Sequence, residues 1–225
     1  MNILAIDTAV SVLSVALSAG DDVWCFEADA GLRHSELAMD SVDLLFKKAG
    51  LEPGELSGVL CMGGPGSFTG LRIGFSLAKG MALALGIPFV PIPSLDCMAH
   101  PFSCRPGLVI PVIDAKKSAF FCALYSGGRQ LCPGMDAGPA LIAQTITGAL
   151  ESLPGEKQVL LTGPDAEKLY PLLPEGLASL AGGALKGYAR TLLDIAKKCK
   201  IFDNCDTDWF SGPEYIRKSD AELNL

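Results

Sequence analysis

Apolar residues come in short blocks divided by glycine, proline and acids, and the spacing inside each block predicts its element. Ile3–Asp7 is a continuous apolar run closed by an acid and reads as a buried strand. A second strand is predicted over 11–19, and a third, partly alternating, over 23–28. His34–Ala49 sets Leu37, Leu44, Leu45 and Phe46 among polar residues as an amphipathic helix ended by Gly50. A buried strand over 57–62 leads into the turn Gly63-Gly64-Pro65-Gly66-Ser67, then a helix over Phe68–Leu85 stopped by Gly86 and Pro88. Phe89–Ile92 makes one more strand before a mostly helical stretch at 94–100.

The order then begins again. Displaced by 107 residues, Ile3, Ile6, Asp7, Ser11, Ala16, Leu17 and Gly20 fall on Ile110, Ile113, Asp114, Ser118, Ala123, Leu124 and Gly127. Such a match over a short window, where chance gives about one identity, signals a repeated unit. A helix over 140–153, a strand over 158–162 and a Gly163-Pro164 turn repeat the first half's helix, strand and turn. The expected fold is therefore α/β, two related lobes, each a mixed β-sheet with flanking helices. They divide as 1–104 and 105–225, joined near 101–106. A helix over 188–200 and a terminal segment over 213–218 have no counterpart in the first lobe.

Composition narrows the class. Of 225 residues, 49% are hydrophobic and 19% charged, which excludes disorder and coiled coil. Net charge is −7, split −5 and −2 on either side of residue 107, so no basic half is available to a nucleic acid. Eight cysteines contain no C-x-x-C pair, and most sit inside apolar runs, where a free thiol acts as a small hydrophobe. The start lacks a basic signal region, and the apolar window 73–92 is broken by Lys79, Gly80, Gly86 and Pro88. A reduced, cytoplasmic protein without a membrane span is expected.

Duplicated lobes that each open on a strand ending in aspartate resemble the actin, sugar-kinase and DnaK-type ATPase superfamily. There two such acids face the metal of a bound nucleotide and glycine-rich turns wrap its phosphates. Asp7 and Asp114 stand in those places and are the candidate cofactor-binding residues. The turns at 7–11 and 114–118 contain no glycine, so their backbone N–H groups close poorly on a phosphate. Asp7 then reads as a cap on its own hairpin turn. A stand-alone ATPase or small-molecule kinase becomes the second reading. The string Gly63-Gly64-Pro65-Gly66-Ser67-Phe68-Thr69-Gly70-Leu71-Arg72-Ile73-Gly74 runs from a strand into a helix with Ser67 or Thr69 as N-cap, and it is not a Walker loop. Gly66, Gly70 and Gly74 leave one helix face almost without side chains. Such a face suits the chain's own sheet, a partner's helix or an anion.

This string, with Ile3-Leu4-Ala5-Ile6-Asp7-Thr8-Ala9, His34-Ser35-Glu36-Leu37, Ile113-Asp114-Ala115 and Pro213-Glu214-Tyr215-Ile216-Arg217, resembles the TsaB family. Those bacterial proteins are needed to make threonylcarbamoyladenosine in tRNA. Where that family carries Asp-Ala-Arg, this chain has Asp114-Ala115-Lys116, which keeps the charge and loses the guanidinium fork. The resemblance implies a non-catalytic partner of TsaD, the transferase of the same fold, with TsaE as a further partner. It also implies a homodimer when alone, and tRNA met only through the complex. No catalytic residue and no cofactor of its own are implied, with ATP or ADP placed at the joint with TsaD. The paralogue's His-x-x-x-His metal pair aligns with Ser94 and Met98, poor ligands for a hard catalytic metal, so no metal is expected. His34 and His100 are too far apart to replace that pair, and no peptidase motif is present. The partner surface is expected on Gly66, Gly70, Leu71, Gly74, Phe75 and Ala78, with His34 and Leu37 from the preceding helix.

Overall fold

Each half of the chain builds its sheet outward from an apolar strand that carries an aspartate at or near its end. The computed structural model describes residues 1–155, 157–182, 187–203, 207–209 and 211–216. In the first half β1 (Ile3–Asp7) pairs antiparallel with β2 (Val12–Ala19), and β2 with β3 (Asp22–Asp29). On its other side β1 pairs parallel with β4 (Gly58–Met62), and β4 with β5 (Phe89–Ile92), giving the order β3-β2-β1-β4-β5. Parallel neighbours need crossovers, supplied by α1 (His34–Ala49) and α2 (Phe68–Leu85). Gly50 and Gly86 end both helices in the left-handed conformation, φ 66° and 65°.

Alternation along the strands sorts their side chains between two faces. Leu4, Ile6, Leu13, Val15 and Leu17 form one core with Val42, Leu45 and Phe46 of α1 and Phe75, Ala78 and Ala82 of α2. Phe75 and Phe89 meet edge-on, with centroids 5.5 Å apart, a contact worth about 1 kcal/mol beyond its buried area. The opposite face carries Ala5, Ser14 and Ala16, small enough for a helix to lie close.

After α3 (Ser94–Ala99) the second half repeats the plan. β6 (Leu108–Lys116) pairs antiparallel with β7 (Ala119–Cys122), and β8 (Tyr125–Ser126) with β9 (Arg129–Gln130) makes a small hairpin on β6. β10 (Met135–Ala137) borders β7, and α4 (Pro139–Ser152) crosses to β11 (Val159–Thr162), which is parallel to β6. α5 (Ala166–Leu169) and β12 (Ser179–Leu180) complete this sheet. Ile110, Val112, Ile142, Ile146 and Leu161 centre its core. The parallel pairs β1–β4 and β6–β11 occupy the same place in the two sheets, as the 107-residue repeat predicts.

The division of the chain differs from the continuous one expected at 104/105. The first unit comprises Met1–Cys97 and Leu185–Glu214, and the second includes Met98–Ala184. The last helix, α6 (Ala189–Cys199), packs on β1, β2 and β4. Its buried stripe of Leu192, Leu193, Ile195 and Ala196 needs an apolar floor, and the small-residue face of the first sheet supplies it. The predicted terminal segment at 213–218 is described only to 216. No described helix is long and apolar enough to cross a membrane.

Candidate functional site

The turn after β1, where the superfamily resemblance would place a phosphate, is sealed, with Asp7, Thr8, Ala9 and Val10 all buried. Asp7 is completely buried. Its Oδ1 accepts from the Ala9 amide at 2.9 Å, the local cap predicted from sequence, and its Oδ2 accepts from the Tyr188 amide at 3.0 Å. Burial pushes the Asp7 carboxyl up to about 6, against the pull of those two amides. Ser14, directly across the strand pair, accepts from the Ala189 amide at 2.9 Å. Two side chains of the sheet thus cap the start of α6, whose own N-cap Tyr188 makes no side-chain cap bond. Both carboxylate oxygens of Asp7 are engaged inside the protein, and neither faces solvent.

The glycine string presses on the same turn. Thr8 Oγ1 donates to the Gly70 carbonyl at 2.7 Å, and the Ser67 amide donates to the Ala9 carbonyl at 2.8 Å. A Cβ at Gly66 would lie 2.9 Å from the Ala9 carbonyl oxygen, one at Gly74 2.6 Å from Thr8 Oγ1, and one at Gly70 would overlap the Thr8 carbonyl. Ser67 caps α2 by accepting from the Gly70 amide at 3.2 Å. The amides of Gly63 and Gly64 donate to the Ile92 carbonyl and Ser94 Oγ.

The surface expected to open towards a partner is therefore corrected. Gly70, Leu71, Gly74, Phe75 and Ala78 are buried in the chain's own core, and Gly66 packs on Ala9. A crossover helix must lie on its own sheet, and here the smooth stripe is the face that does so.

In the second unit Asp114 is compensated by ammonium groups. Its Oδ1 accepts from the Lys116 amide at 2.7 Å, and Oδ2 pairs with Lys168 at 3.0 Å and Lys116 at 3.1 Å. Lys168 also pairs with Asp165 at 2.7 Å, and Asp165 Oδ2 accepts from the Asp114 amide. Burial acts to raise the Asp114 carboxyl, but the Lys116 amide and the two lysines outweigh it and bring it down to about 2. Lys116, where the TsaB resemblance expects arginine, folds back on this carboxylate.

Ser94 and Met98, the positions aligned with a metal pair, are both fully buried. His34 opens α1, buried, with no hydrogen-bond partner for Nε2 among the described residues, and Leu37 packs at the core's edge. No group of three or more His, Cys, Asp or Glu among the described residues is placed to hold a metal ion.

A concave surface of the first unit lies between α1 and α2. Ser35, Ala38 and Met39 of α1 and Phe68, Arg72, Ile73 and Leu77 of α2 line a groove of about 660 Å³. Met39 is 51% and Phe68 44% exposed, and the Arg72 guanidinium sits 3.9 Å over the Phe68 ring. Sequence reasoning missed these residues. Their signal was available: α2 is apolar on nearly every side, so assigning its glycine stripe to the sheet leaves a second apolar face outside.

A two-unit α/β protein, each unit a mixed sheet with flanking helices and the turn after β1 filled from within, is what this geometry defines. The sequence model of the family described as TsaD, tRNA N6-adenosine threonylcarbamoyltransferase, matches residues 28–142. The chain belongs to this family. The tRNA threonylcarbamoyladenosine biosynthesis protein TsaB of Bacillus subtilis is 37% identical over 126 residues, 56% of this chain and 55% of that protein. The protein of the same name from Escherichia coli is 29% identical over 100% of this chain and 98% of its own length. A Pseudomonas aeruginosa structure described as YeaZ shares the fold, with TM-score 0.79 at 22% identity, covering 95% of this chain and 99% of that one.

Proposed function

We propose that this chain is a non-catalytic subunit of the machinery that installs threonylcarbamoyl on adenosine beside the tRNA anticodon, and that it binds and supports a TsaD-type transferase. The observation that carries this reading is the sealed first turn. Asp7, completely buried with both oxygens accepting from backbone amides, presents no open face to a nucleotide's metal. The names of the Bacillus subtilis and Escherichia coli relatives supply the pathway. The groove between α1 and α2 is the surface proposed to meet the transferase, or a second copy of the chain when the transferase is absent. Met39, Phe68 and Ile73 would serve as its anchors. TsaE joins as a further partner, tRNA is met through the complex, and ATP or ADP, if held, lies at the joint with the transferase.

Co-expression with the TsaD-type protein of the same organism tests this. The two should co-purify, and threonylcarbamoylation of tRNA by the purified set should require this chain. Met39→Lys with Phe68→Glu should abolish co-purification while moving the thermal midpoint of the isolated chain by no more than about 2 °C, because both residues are exposed. ATP hydrolysis by the chain alone, lost in Asp7→Ala, would instead establish the stand-alone ATPase.

A further inference from the structure

The first sheet manages its two edges in opposite ways. At β5 the edge is covered: the Phe89 amide donates to Thr207 Oγ1 at 3.0 Å, and Pro91 has no N–H to offer. Lys79 fastens the covering segment by donating to the carbonyls of Trp209 and Ser211, and the Glu214 amide donates to the Gly63 carbonyl at 2.7 Å. The edge strands of the second sheet, β10 and β12, are three and two residues long, too short to template another strand. At β3 none of these devices is present. The strand runs eight residues in unbroken register with β2, without proline or bulge, and no other described strand pairs with it.

The hairpin fixes which groups are open. A two-residue turn at Gly20 and Asp21 closes on an Ala19–Asp22 hydrogen-bonded pair, and such pairs alternate along an antiparallel ladder. The N–H and C=O groups of Val23, Cys25, Glu27 and Asp29 consequently point away from β2. Charge on this edge has one sign. Asp21, Asp22, Glu27 and Asp29 cluster on the turn and strand, no lysine or arginine occurs between 20 and 32, and none of the four acids has an ion pair among the described residues. Arg190 of α6 reaches the Cys25 thiol but is paired with Asp194 at 3.3 Å.

We propose that β3 is a strand-addition site for an extended segment of another protein carrying Lys or Arg at every second position. Glu27 and Asp29, two residues apart, lie on one face of the strand and would meet two such cations, while the four outward backbone positions supply the ladder. A second copy of this chain is the poorer occupant, because two β3 edges together bring only acids and no lysine or arginine. This site is independent of the groove on α1 and α2.

A labelled peptide of sequence Lys-Val-Lys-Thr-Lys-Val-Lys-Thr, blocked at both ends, is the probe, with anisotropy and amide shifts of the isotopically labelled full chain as readouts. Saturable binding is expected, with the largest shifts at Val23, Cys25, Glu27 and Asp29. Affinity should fall at least about tenfold, on the order of 1.4 kcal/mol, when alternate peptide amides are N-methylated, and equally when glutamate replaces lysine in the peptide. Glu27→Lys with Asp29→Lys should weaken it similarly. So should Cys25→Pro, whose missing N–H faces outward and leaves the β2 ladder intact. Should Cys25→Pro fail to fold, the N-methylated peptide carries the backbone test alone. Absence of saturable binding, or equal binding of the N-methylated peptide as expected of plain charge attraction, overturns the proposal. So does a homodimer of the unmodified chain that Cys25→Pro converts to monomer.

Discussion

A carboxylate shut away from water is destabilising unless its surroundings favour the charge, and at Asp7 the two influences oppose each other. Burial holds its pKa at about 6, above the ordinary 3.8, so the folded state binds a proton more tightly than the unfolded chain does. The resulting contribution to stability is fully present below pH 3.8 and is lost as pH rises through 6, up to about 3 kcal/mol in all. Asp7→Asn removes that dependence, but it aims an amide donor at the amide of Ala9 or Tyr188, which costs about 1–3 kcal/mol. Urea unfolding should therefore find the variant less stable than the natural chain near pH 4 and close to it near pH 7.5. A difference independent of pH would refute this account. Asp114 has the opposite sign, contributing above pH 3.8 and losing that contribution as pH falls towards 2, but its solvent-screened pairs make the effect small. Half of Asp7's role was legible in the sequence, since an aspartate at a strand end caps its own turn. The other half was not, because Tyr188 lies 181 residues away with nothing local to mark it.

At the scale of the element, α2 shows what a stripe of small residues does and does not reveal. Glycine every fourth position announces a close approach, and the helix bounds Phe68–Leu85 predicted from sequence match the structure. The stripe cannot name what approaches. Thr8 and Ala9 do, because the turn after the central strand runs beneath the start of the crossover helix. Gly70→Ala should accordingly destabilise the isolated chain by about 1–3 kcal/mol through overpacking against the Thr8 carbonyl. Gly80→Ala, on the same helix with nothing near its missing Cβ, should stabilise it by about 0.5–1 kcal/mol. Denaturant midpoints of the two variants moving in the same direction would contradict this assignment of faces.

Over the whole molecule, the duplicated plan was legible because both halves repeat one order of hairpin, helix and parallel strand. The placement of α6 was not, since an amphipathic helix at the end of a sequence says only that it needs a floor. With Asp7 capping α6 and Asp114 paired to lysines, titration calorimetry of the isolated chain with Mg-ATP should show no low-micromolar binding. A tight, Asp7-dependent signal would overturn that expectation. The nesting of one unit between two parts of the other also bears on how the protein is made. Translation delivers Asp7 and Ser14 well before their amide partners at Tyr188 and Ala189, and the intervening unit emerges between them. The Asp7–Ser14 pair must wait, uncovered, until the second unit has been synthesised. The first sheet thus becomes complete after the second can already have folded, and closing a loop of that length adds an entropic cost that grows only with the logarithm of its size. A late segment of the chain thus closes the sheet that an early one opened.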